Sequence, residues 1–567
     1  MPYSLYLAHI NDTHSHFEAS MVHFKINIQG EDYRLEAQCG GYARIATAVA
    51  QLRQEAKQQR CPSLFLHAGD SFQGSLYFSQ FKGLANVRLL NRLAPDAMTI
   101  GNHEFDLGNA PVAQFIEQAN FPLLAGNMDL SQEDQNKAHP LAPHSNLYRY
   151  DNSRKIAQYL LKPLADKQLA IIGITHDLMH QIGCPDSDCS FLNAIETTRA
   201  TIEHLHHQDI QHIIILSHLG YQADVELAKA VNGISLIVGG HSHTLTGDFS
   251  SLGLNSCEQG PAWVNDSLIL QAGKHAESIG LAKLGFNREG KVTHMDGGIS
   301  FLLSENWQAF VNEQPVTPPQ HQAMQHYLSG SRFFSHYSAE PKMQTLIDRD
   351  YRPAVEKMHQ QVITTVPQSL FHTRAPTVDF PQGSEVSPLV CAAFYWVANQ
   401  HSPTDFALHN AGGVRVSLKT GPLTKAEICG RLLPFEIAIV SYLIKGADLA
   451  IVIEGAIDNA YSNGIVGTGD GSFPYFHRLR YRYQAELPQG QRVSEIELYQ
   501  GEQWQAMESE KAYRGVSSAY TLAGKEGYHG LLQTWDHQDL GMSMSDSFVA
   551  YAEQIDQLSA ETSQVST

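Results

Sequence analysis

The sequence predicts an α/β protein of two domains, and three observations lead there. At 567 residues the chain is longer than one hydrophobic core organises, since single cores stop growing beyond about 250–300 residues. Its N-terminal half alternates short apolar runs with polar stretches of helical period, the pattern of strands joined through helices. Many of those runs are apolar throughout rather than alternating, as strands covered on both faces require.

Taken in order, Tyr3–Ile10 reads as a strand and Gly41–Gln58 as a helix with Ile45, Val49 and Leu52 on one side. Ser63–His67 reads as a strand, followed by a helix over Asn86–Leu93. Further short strands are predicted at Ala97–Ile100, Leu123–Ala125, Leu169–Ile174, His212–Leu216, Leu236–Val238, Leu268–Gln271 and Gly280–Phe286. From Gln308 to Glu340 the sequence turns polar, with Pro315, Pro318 and Pro319, and predicts an irregular connection. Met343, Leu346, Ile347, Tyr351, Val355 and Met358 then recur at helical spacing, which predicts a long connecting helix. The second domain is predicted from Val362, with strands at Asp405–Leu408 and Ile437–Ile444 and a helix at Ala447–Tyr461. The small polar residues 559–567 predict a frayed tail. The expected boundaries are therefore 1–310, a linker with a hinge helix at 311–361, a second domain at 362–558, and the tail.

Composition narrows the function. Hydrophobic residues at 43% and charged residues at 17% are ordinary for a globular protein. The net charge of −19 argues against a nucleic-acid polymer or an anionic membrane as main partner, because both need clustered Lys and Arg. No run of about 18 apolar residues predicts a membrane span. Seven cysteines without a CxxC pair read as reduced thiols. A native start at Met1 predicts a cytoplasmic protein, and a removed signal peptide a periplasmic one. The oligomeric state is not written in the sequence. The 29 histidines are the informative count, since neutral imidazole is a common transition-metal ligand.

Five segments place ligand-type residues directly after predicted strands: Asp12-Thr13-His14, Gly69-Asp70, Gly101-Asn102-His103-Glu104, His218, and Gly239-Gly240-His241-Ser242-His243. In an open α/β sheet, the loops after strand ends gather at one rim, so distant segments converge there. Oxygen and nitrogen donors without cysteine suit Mn, Zn or Fe rather than a structural zinc site. A two-metal site needs one carboxylate to bridge ions about 3.5–4 Å apart, and Asp70 is the natural bridge.

The set D-x-H, G-D, G-N-H-E-F-D, H and G-G-H-S-H resembles the calcineurin-like metallophosphoesterase superfamily. Its strings Ile10–His16 and Ile100–Asp106 resemble the bacterial 5′-nucleotidase/UDP-sugar hydrolase branch. That resemblance implies an N-terminal four-layer α/β/β/α sandwich and a C-terminal α+β substrate-specificity domain, joined by a helix about which the domains rotate. It implies two divalent ions (Mn, Zn, Co or Fe), one held by Asp12, His14, Asp70 and His243, the other by Asp70, Asn102, His218 and His241. His103 and Asp106 are implied as the catalytic pair, with attack by a metal-bound hydroxide on phosphorus. His9, His16 and His67 are read as neighbours without a ligand role.

In the second domain, Asn410-Ala411-Gly412-Gly413-Val414-Arg415 resembles the family's N-G-G-G-I/V-R loop, whose Arg415 can pair with an anion. Pro434-Phe435 and Ser518-Ala519-Tyr520 resemble the segments whose rings sandwich a base, and Glu526 falls where a carboxylate holds the ribose. Asn410, Gly412, Gly413, Arg415, Phe435, Tyr520 and Glu526 are thus the implied substrate residues. The chain departs from the pattern in three ways: Ile437 stands in place of Asn, Glu526 in place of Asp, and Phe380 and Gln382 where relatives carry arginines, with Arg374 at a different offset.

The function this implies is metal-dependent hydrolysis of a small-molecule phosphate ester, foremost a 5′-nucleotide. UDP-sugar or 2′,3′-cyclic-nucleotide hydrolysis on the same site is the alternative. A catalytically silent ligand-binding protein is the alternative of another class, opposed by the presence of Asp70, Asn102 and His103.

Overall fold

The computed structural model describes residues 3–254 and 262–563, in two compact units, residues 1–352 and 353–567. The last four residues of the tail predicted at 559–567 lie outside the described residues, and Ala560–Ser563 forms a single helical turn.

Unit 1 is built on two sheets. In the larger, Tyr3–Ile10, Ser63–His67, Ala97–Thr99 and Leu123–Leu124 run parallel as neighbours. Beyond Tyr3–Ile10 the sheet continues antiparallel through Ser278–Phe286 and Val292–Val311. In the smaller, Lys167–Thr175, His212–His218, Leu236–Val238 and Ser267–Leu270 are parallel. The facing sides meet in one apolar cluster, with Leu5, Leu7, Leu64 and Leu66 from one sheet against Ile171, Ile214, Leu216 and Val238 from the other. Neighbouring residues of the smaller sheet, Ile172, Ile213, Ile215 and Ile237, pack instead with Ile202, Leu205 and Leu227 of the helices Ala194–His206 and Tyr221–Ala230. Helix Tyr42–Gln58 buries Ile45, Ala48, Val49 and Leu52 at the three-to-four spacing of an amphipathic helix and touches Tyr3–Ile10 and Ser63–His67. The layers are therefore helix, sheet, sheet, helix, and the apolar strands are those buried between two neighbours.

Two segments differ from the sequence reading. Residues 308–340 are not irregular: Gln308–Val311 ends the long strand Val292–Val311, and Pro318–Gly330 is a helix. Pro318 and Pro319 start that helix rather than break it, because Thr317 and Gln320 form a capping box and a first-turn proline lacks only an N–H that would go unbonded. The hairpin Ser20–Ile28/Glu31–Cys39 is an element the expectations above do not include, although buried Phe24, Ile26, Tyr33, Leu35 and Ala37 alternate with polar residues at the period of two. The connecting helix runs from Pro341 to Gln360 with a π-helical turn over Ile347–Tyr351. That turn stands just before Pro353, whose ring removes one helical N–H.

Unit 2 is α+β. Its five-stranded sheet has the order Pro474–His477, Phe406–Asn410, Ala512–Ser518, Ala438–Lys445, Trp535–Ser543. Phe406–Asn410 and Ala512–Ser518 are its parallel pair. Helix Gly446–Tyr461 buries Leu449, Val452, Ile453, Ala456 and Ile457, and Ser387–His401 buries Leu389, Val390, Ala393, Phe394 and Val397.

Candidate functional site

The predicted ligands of unit 1 all lie at the carboxyl ends of parallel strands or in the loops that follow. The structure draws six of them into two groups: Asp12, His14 and His243, and Asp70, His218 and His241, the donor atoms within each lying within 4.8 Å of one another. Asn102 joins the second, its Oδ1 lying 2.8 Å from His241 Nδ1. His218 Nε2 stands 3.1 Å from Asp70 Oδ2 without the alignment of a hydrogen bond. His243 Nε2 is 3.5 Å from Asp12 Oδ1.

Holding these groups together strains the backbone. Asp12, His14, Asp70, His241 and His243 adopt φ of 49°, 46°, 55°, 74° and 56°, left-handed conformations that cost non-glycine residues about 1–2 kcal/mol each. Two glycines show how close the loops come. A Cβ on Gly101 would lie 2.1 Å from Asp70 Oδ1, and one on Gly69 2.5 Å from His218 Nδ1.

A further set of residues fixes the donors. His14 Nδ1 lies 3.0 Å from the Phe72 carbonyl and His218 Nδ1 2.7 Å from that of Ala68. Those carbonyls take the Nδ1 protons and leave each Nε2 lone pair for the site, a common arrangement around metal-ligating histidines. Asn11 donates to Asp12 Oδ2 and to the Gly273 carbonyl, both at 2.6 Å. Gln271 ties the 240–246 loop by donating to the Gly240 carbonyl and accepting from Ser242 and Thr244. Most consequential is Glu104, buried and accepting the backbone N–H groups of Asp70, Ser71, Phe72 and Gly101. The sequence reading quoted Glu104 inside a motif and gave it no role. His275 was also missed: its ring centroid lies 5.9 Å from that of His14, 6.2 Å from that of His243, and stacks on His16 at 4.1 Å. Its position just after the strand Ser267–Leu270 was the available signal.

The electrostatics set His14, His241 and His243 apart from His218 and His103. Burial pushes His14 well below the ordinary imidazole range, His241 down to about 3 and His243 down to about 4, so these rings are neutral, as ligation requires. Burial also pushes Asp12 up to about 8, with Asp70 adding to the effect. A cation at this rim would offset the cost of charging buried Asp12 beside Asp70. His218 is raised to about 9, the pull of Asp70 and Asp12 outweighing burial; its proton stands where those carboxylates would otherwise face a metal. Burial opposes the charge on Asp70 too, but His218 and His103 hold its carboxyl well below the usual range. His103 is different. Burial opposes its charge, yet Asp106 and then Asp70 raise it to about 10, and its Nδ1–H donates to Asp106 Oδ2 at 2.6 Å. A protonated His103 with Nδ1 so occupied has Nε2–H left to offer. The donor set, with His14, His241 and His243 neutral and Asp12 and Asp70 as its carboxylates, fits divalent ions.

In unit 2 the implied substrate residues gather in two places. Asn410 ends one strand of the parallel pair, and Ser518, which ends the other, caps the short helix Ala519–Leu522, so their loops converge. Asn410 Nδ2 donates to Glu526 Oε2 at 3.4 Å, and burial first, then the Glu526 carboxylate, push the Tyr520 hydroxyl up. Gly527 carries Glu526 onto the helix, since a Cβ there would lie 2.2 Å from the Gly455 carbonyl. The other place joins Arg415, whose guanidinium lies 5.7 Å from the Phe435 ring centroid and donates to the Gly412 carbonyl at 3.0 Å. A Cβ on Gly413 would sit 2.1 Å from buried His409. Arg374 pairs with Asp470 at 3.1 Å. His372, which the sequence reading missed, lies in the field of Arg374 and Arg415; burial first, then those two cations, lower it to about 4.

Comparison with known proteins matches residues 5–245 to the calcineurin-like phosphoesterase family and residues 362–533 to the 5′-nucleotidase C-terminal domain family. The NAD 5′-nucleotidase of Haemophilus influenzae is 27% identical over 548 residues, covering 92% of this chain and 85% of that one. A crystal structure of a 5′-nucleotidase precursor from Thermus thermophilus superposes with a TM-score of 0.65 at 27% identity, covering 98% of this chain and 97% of that chain.

Proposed function

From the premise that the chain belongs to the calcineurin-like metallophosphoesterases that carry a C-terminal 5′-nucleotidase domain, we infer that it releases phosphate from nucleoside 5′-phosphates. It is a hydrolase of phosphate esters. The observation that carries the nucleotide reading is the presence in one chain of two ligand groups and a charged His103, in unit 1, and of the Asn410–Glu526 and Arg415–Phe435 arrangements, in unit 2.

Asp12, His14 and His243 would hold one ion and Asn102, His218 and His241 the other, with Asp70 shared. Divalent ions bound there supply positive charge for the phosphoryl oxygens and lower the pKa of a coordinated water. The N and O donors favour Mn, Zn, Co or Fe. His103 presents Nε2–H to a phosphoryl or leaving oxygen, and Asp106 keeps that ring charged and oriented, so the pair offsets charge as it develops. In unit 2, Glu526 and Asn410 offer carboxylate and amide to a ribose, Phe435 and Tyr520 offer rings to a base, and Arg415 offers a cation to an anionic group.

The test is a competition screen with protein stripped by chelator and reloaded with Mn²⁺ or Zn²⁺. AMP should outcompete UDP-glucose and 2′,3′-cyclic AMP for turnover. A preference for either of those would replace the nucleotidase reading, and no metal-dependent turnover of any phosphate ester would remove the hydrolytic one.

A further inference from the structure

The smaller sheet of unit 1 brings one more imidazole to the rim than the two ligand groups use. Its strands Lys167–Thr175 and His212–His218 are parallel, and their register pairs Thr175 with His218. His176 follows Thr175, so it leaves the sheet beside His218, at the edge where the loops of parallel strands gather. Its ring centroid lies 5.5 Å from that of His241, with 58° between the ring planes. The same loop then reaches Asn102, whose Nδ2 donates to the Ile182 carbonyl at 3.5 Å. The segment that begins at His176 therefore runs along His218, His241 and Asn102, and His176 itself belongs to neither ligand group.

The backbone on each side of His176 is pinned. Asn127 brackets Thr175, donating to its carbonyl at 2.8 Å and accepting its N–H at 2.9 Å. Asp177 Oδ2 accepts from Asn193 Nδ2 at 3.3 Å and from the Ala194 N–H at 3.4 Å. One hydrogen bond fixes where the ring carries its proton. The Leu178 N–H donates to His176 Nδ1 at 3.0 Å, so Nδ1 is an acceptor and the proton sits on Nε2 of a neutral ring. Asp177 Oδ1, at 3.8 Å from Nδ1, is beyond hydrogen-bond reach. Among the described residues no acceptor takes the Nε2–H, and 19% of the side chain stays exposed, so the donor is open to a ligand.

His103 stands at the other ligand group, its ring centroid 5.2 Å from that of His14. Each group thus has one donating imidazole beside it. They differ in charge: Asp106 keeps His103 protonated, whereas the Leu178 N–H requires a neutral His176.

On the hydrolase reading, we propose that His176 is a second phosphoryl-binding residue, whose Nε2–H donates to a non-bridging phosphate oxygen on the His241 side while His103 serves the His14 side. No proton changes hands at His176; a donor held this firmly stabilises an oxyanion without reorganising.

The experiment separates the donor from the ring. Inorganic phosphate is titrated into the Mn²⁺-loaded full chain by isothermal calorimetry, and turnover of an aryl phosphate is followed in parallel. His176→Phe keeps a ring without the N–H and should weaken phosphate binding about tenfold, the ratio for one hydrogen bond to a charged group. His176→Gln, which returns an N–H, should stay within about threefold of wild type. The fall in kcat/KM should follow the same order, with metal content equal in all three proteins. Melting curves on both variants establish that they fold. A ring needed only for packing gives the opposite order, with His176→Phe near wild type and His176→Gln impaired, and overturns the proposal. Equal phosphate affinity in the three proteins, no phosphate binding by the wild-type chain, or metal lost from either variant overturns it too. Aryl phosphate turnover by the wild-type chain judges the hydrolase reading separately, so that reading can stand when this proposal falls.

Discussion

The Nε2 atoms of His14 and His243 stand 3.0 Å apart although the residues are 229 positions apart in sequence. Both rings are held neutral by burial, and the Nδ1 proton of His14 is taken by the Phe72 carbonyl. Its Nε2 therefore points a lone pair at a second imidazole nitrogen, and Asp12 Oδ1 lies 3.5 Å from His243 Nε2. A cation relieves that arrangement. Replacing His243 by Ala should reduce bound divalent metal from two ions to about one per chain, as read by inductively coupled plasma mass spectrometry. Chelation should also lower the melting temperature, since an ion at 100 times its Kd contributes about 2.7 kcal/mol to the folded state. Unchanged metal content in His243→Ala would remove this residue from the site.

His103 is assigned proton and charge chemistry rather than ligation. His103→Ala should lower kcat by roughly 10²–10⁴-fold with metal content intact. Asp106→Asn gives the sharper test. Because Asp106 is the largest influence raising His103 to about 10, neutralising it lowers the pKa at which the proton is lost. Activity that depends on the protonated ring persists below that pKa and falls above it, so the alkaline limb of kcat should move to lower pH in Asp106→Asn. A limb that stays in place would mean that His103 is not the group whose deprotonation ends activity.

Glu104 shapes the metal rim without facing a ligand role. Its carboxylate gathers four backbone N–H groups and the Ser71 hydroxyl, and Asp70 Oδ1 in turn accepts the His103 N–H at 3.0 Å. Glu104→Ala strands several buried donors, each worth about 1–3 kcal/mol. It should lower the unfolding transition of unit 1 by about 3 kcal/mol or more and reduce metal content. Glu104→Gln should be intermediate, since its carbonyl oxygen can keep part of the network. Melting curves with metal analysis on both variants check the order.

The convergence of the candidate ligands was legible because each follows an apolar strand at once, so motif and sheet rule point to the same edge. Glu104 was not legible: its partners are backbone amides, which leave no trace in the sequence. His275 follows a strand just as the ligands do, but one histidine beyond a matched motif carries little weight. The hairpin at 20–39 was legible as well, since its buried residues alternate with polar ones at the period of a strand with one solvated face. The helix Pro318–Gly330 was hidden because proline reads as a breaker unless the Thr317 cap before it is read as a start. In unit 2 the Gly412-Gly413 loop was legible as a motif. The field of Arg374 and Arg415 on His372 depends on tertiary folding and was not.

On the proposed function, the departures at Glu526 and around Phe380 are expected to change affinity and to leave the chemistry unchanged. Glu526 accepts from Asn410 Nδ2 and its charge pushes the Tyr520 hydroxyl up after burial, and Arg415 lies over Phe435. Arg374 is already paired with Asp470, which leaves Arg415 as the cation of this loop for an anionic substrate group. Arg415→Ala and Glu526→Gln should therefore each raise KM by about tenfold while kcat stays within about threefold, the pattern for lost uniform binding. Steady-state kinetics on AMP and on an aryl phosphate without base or ribose separate recognition from packing. Both variants should be near wild type on the aryl ester if the residues hold nucleoside. An equal loss on both substrates would mean that they support the fold of unit 2 instead.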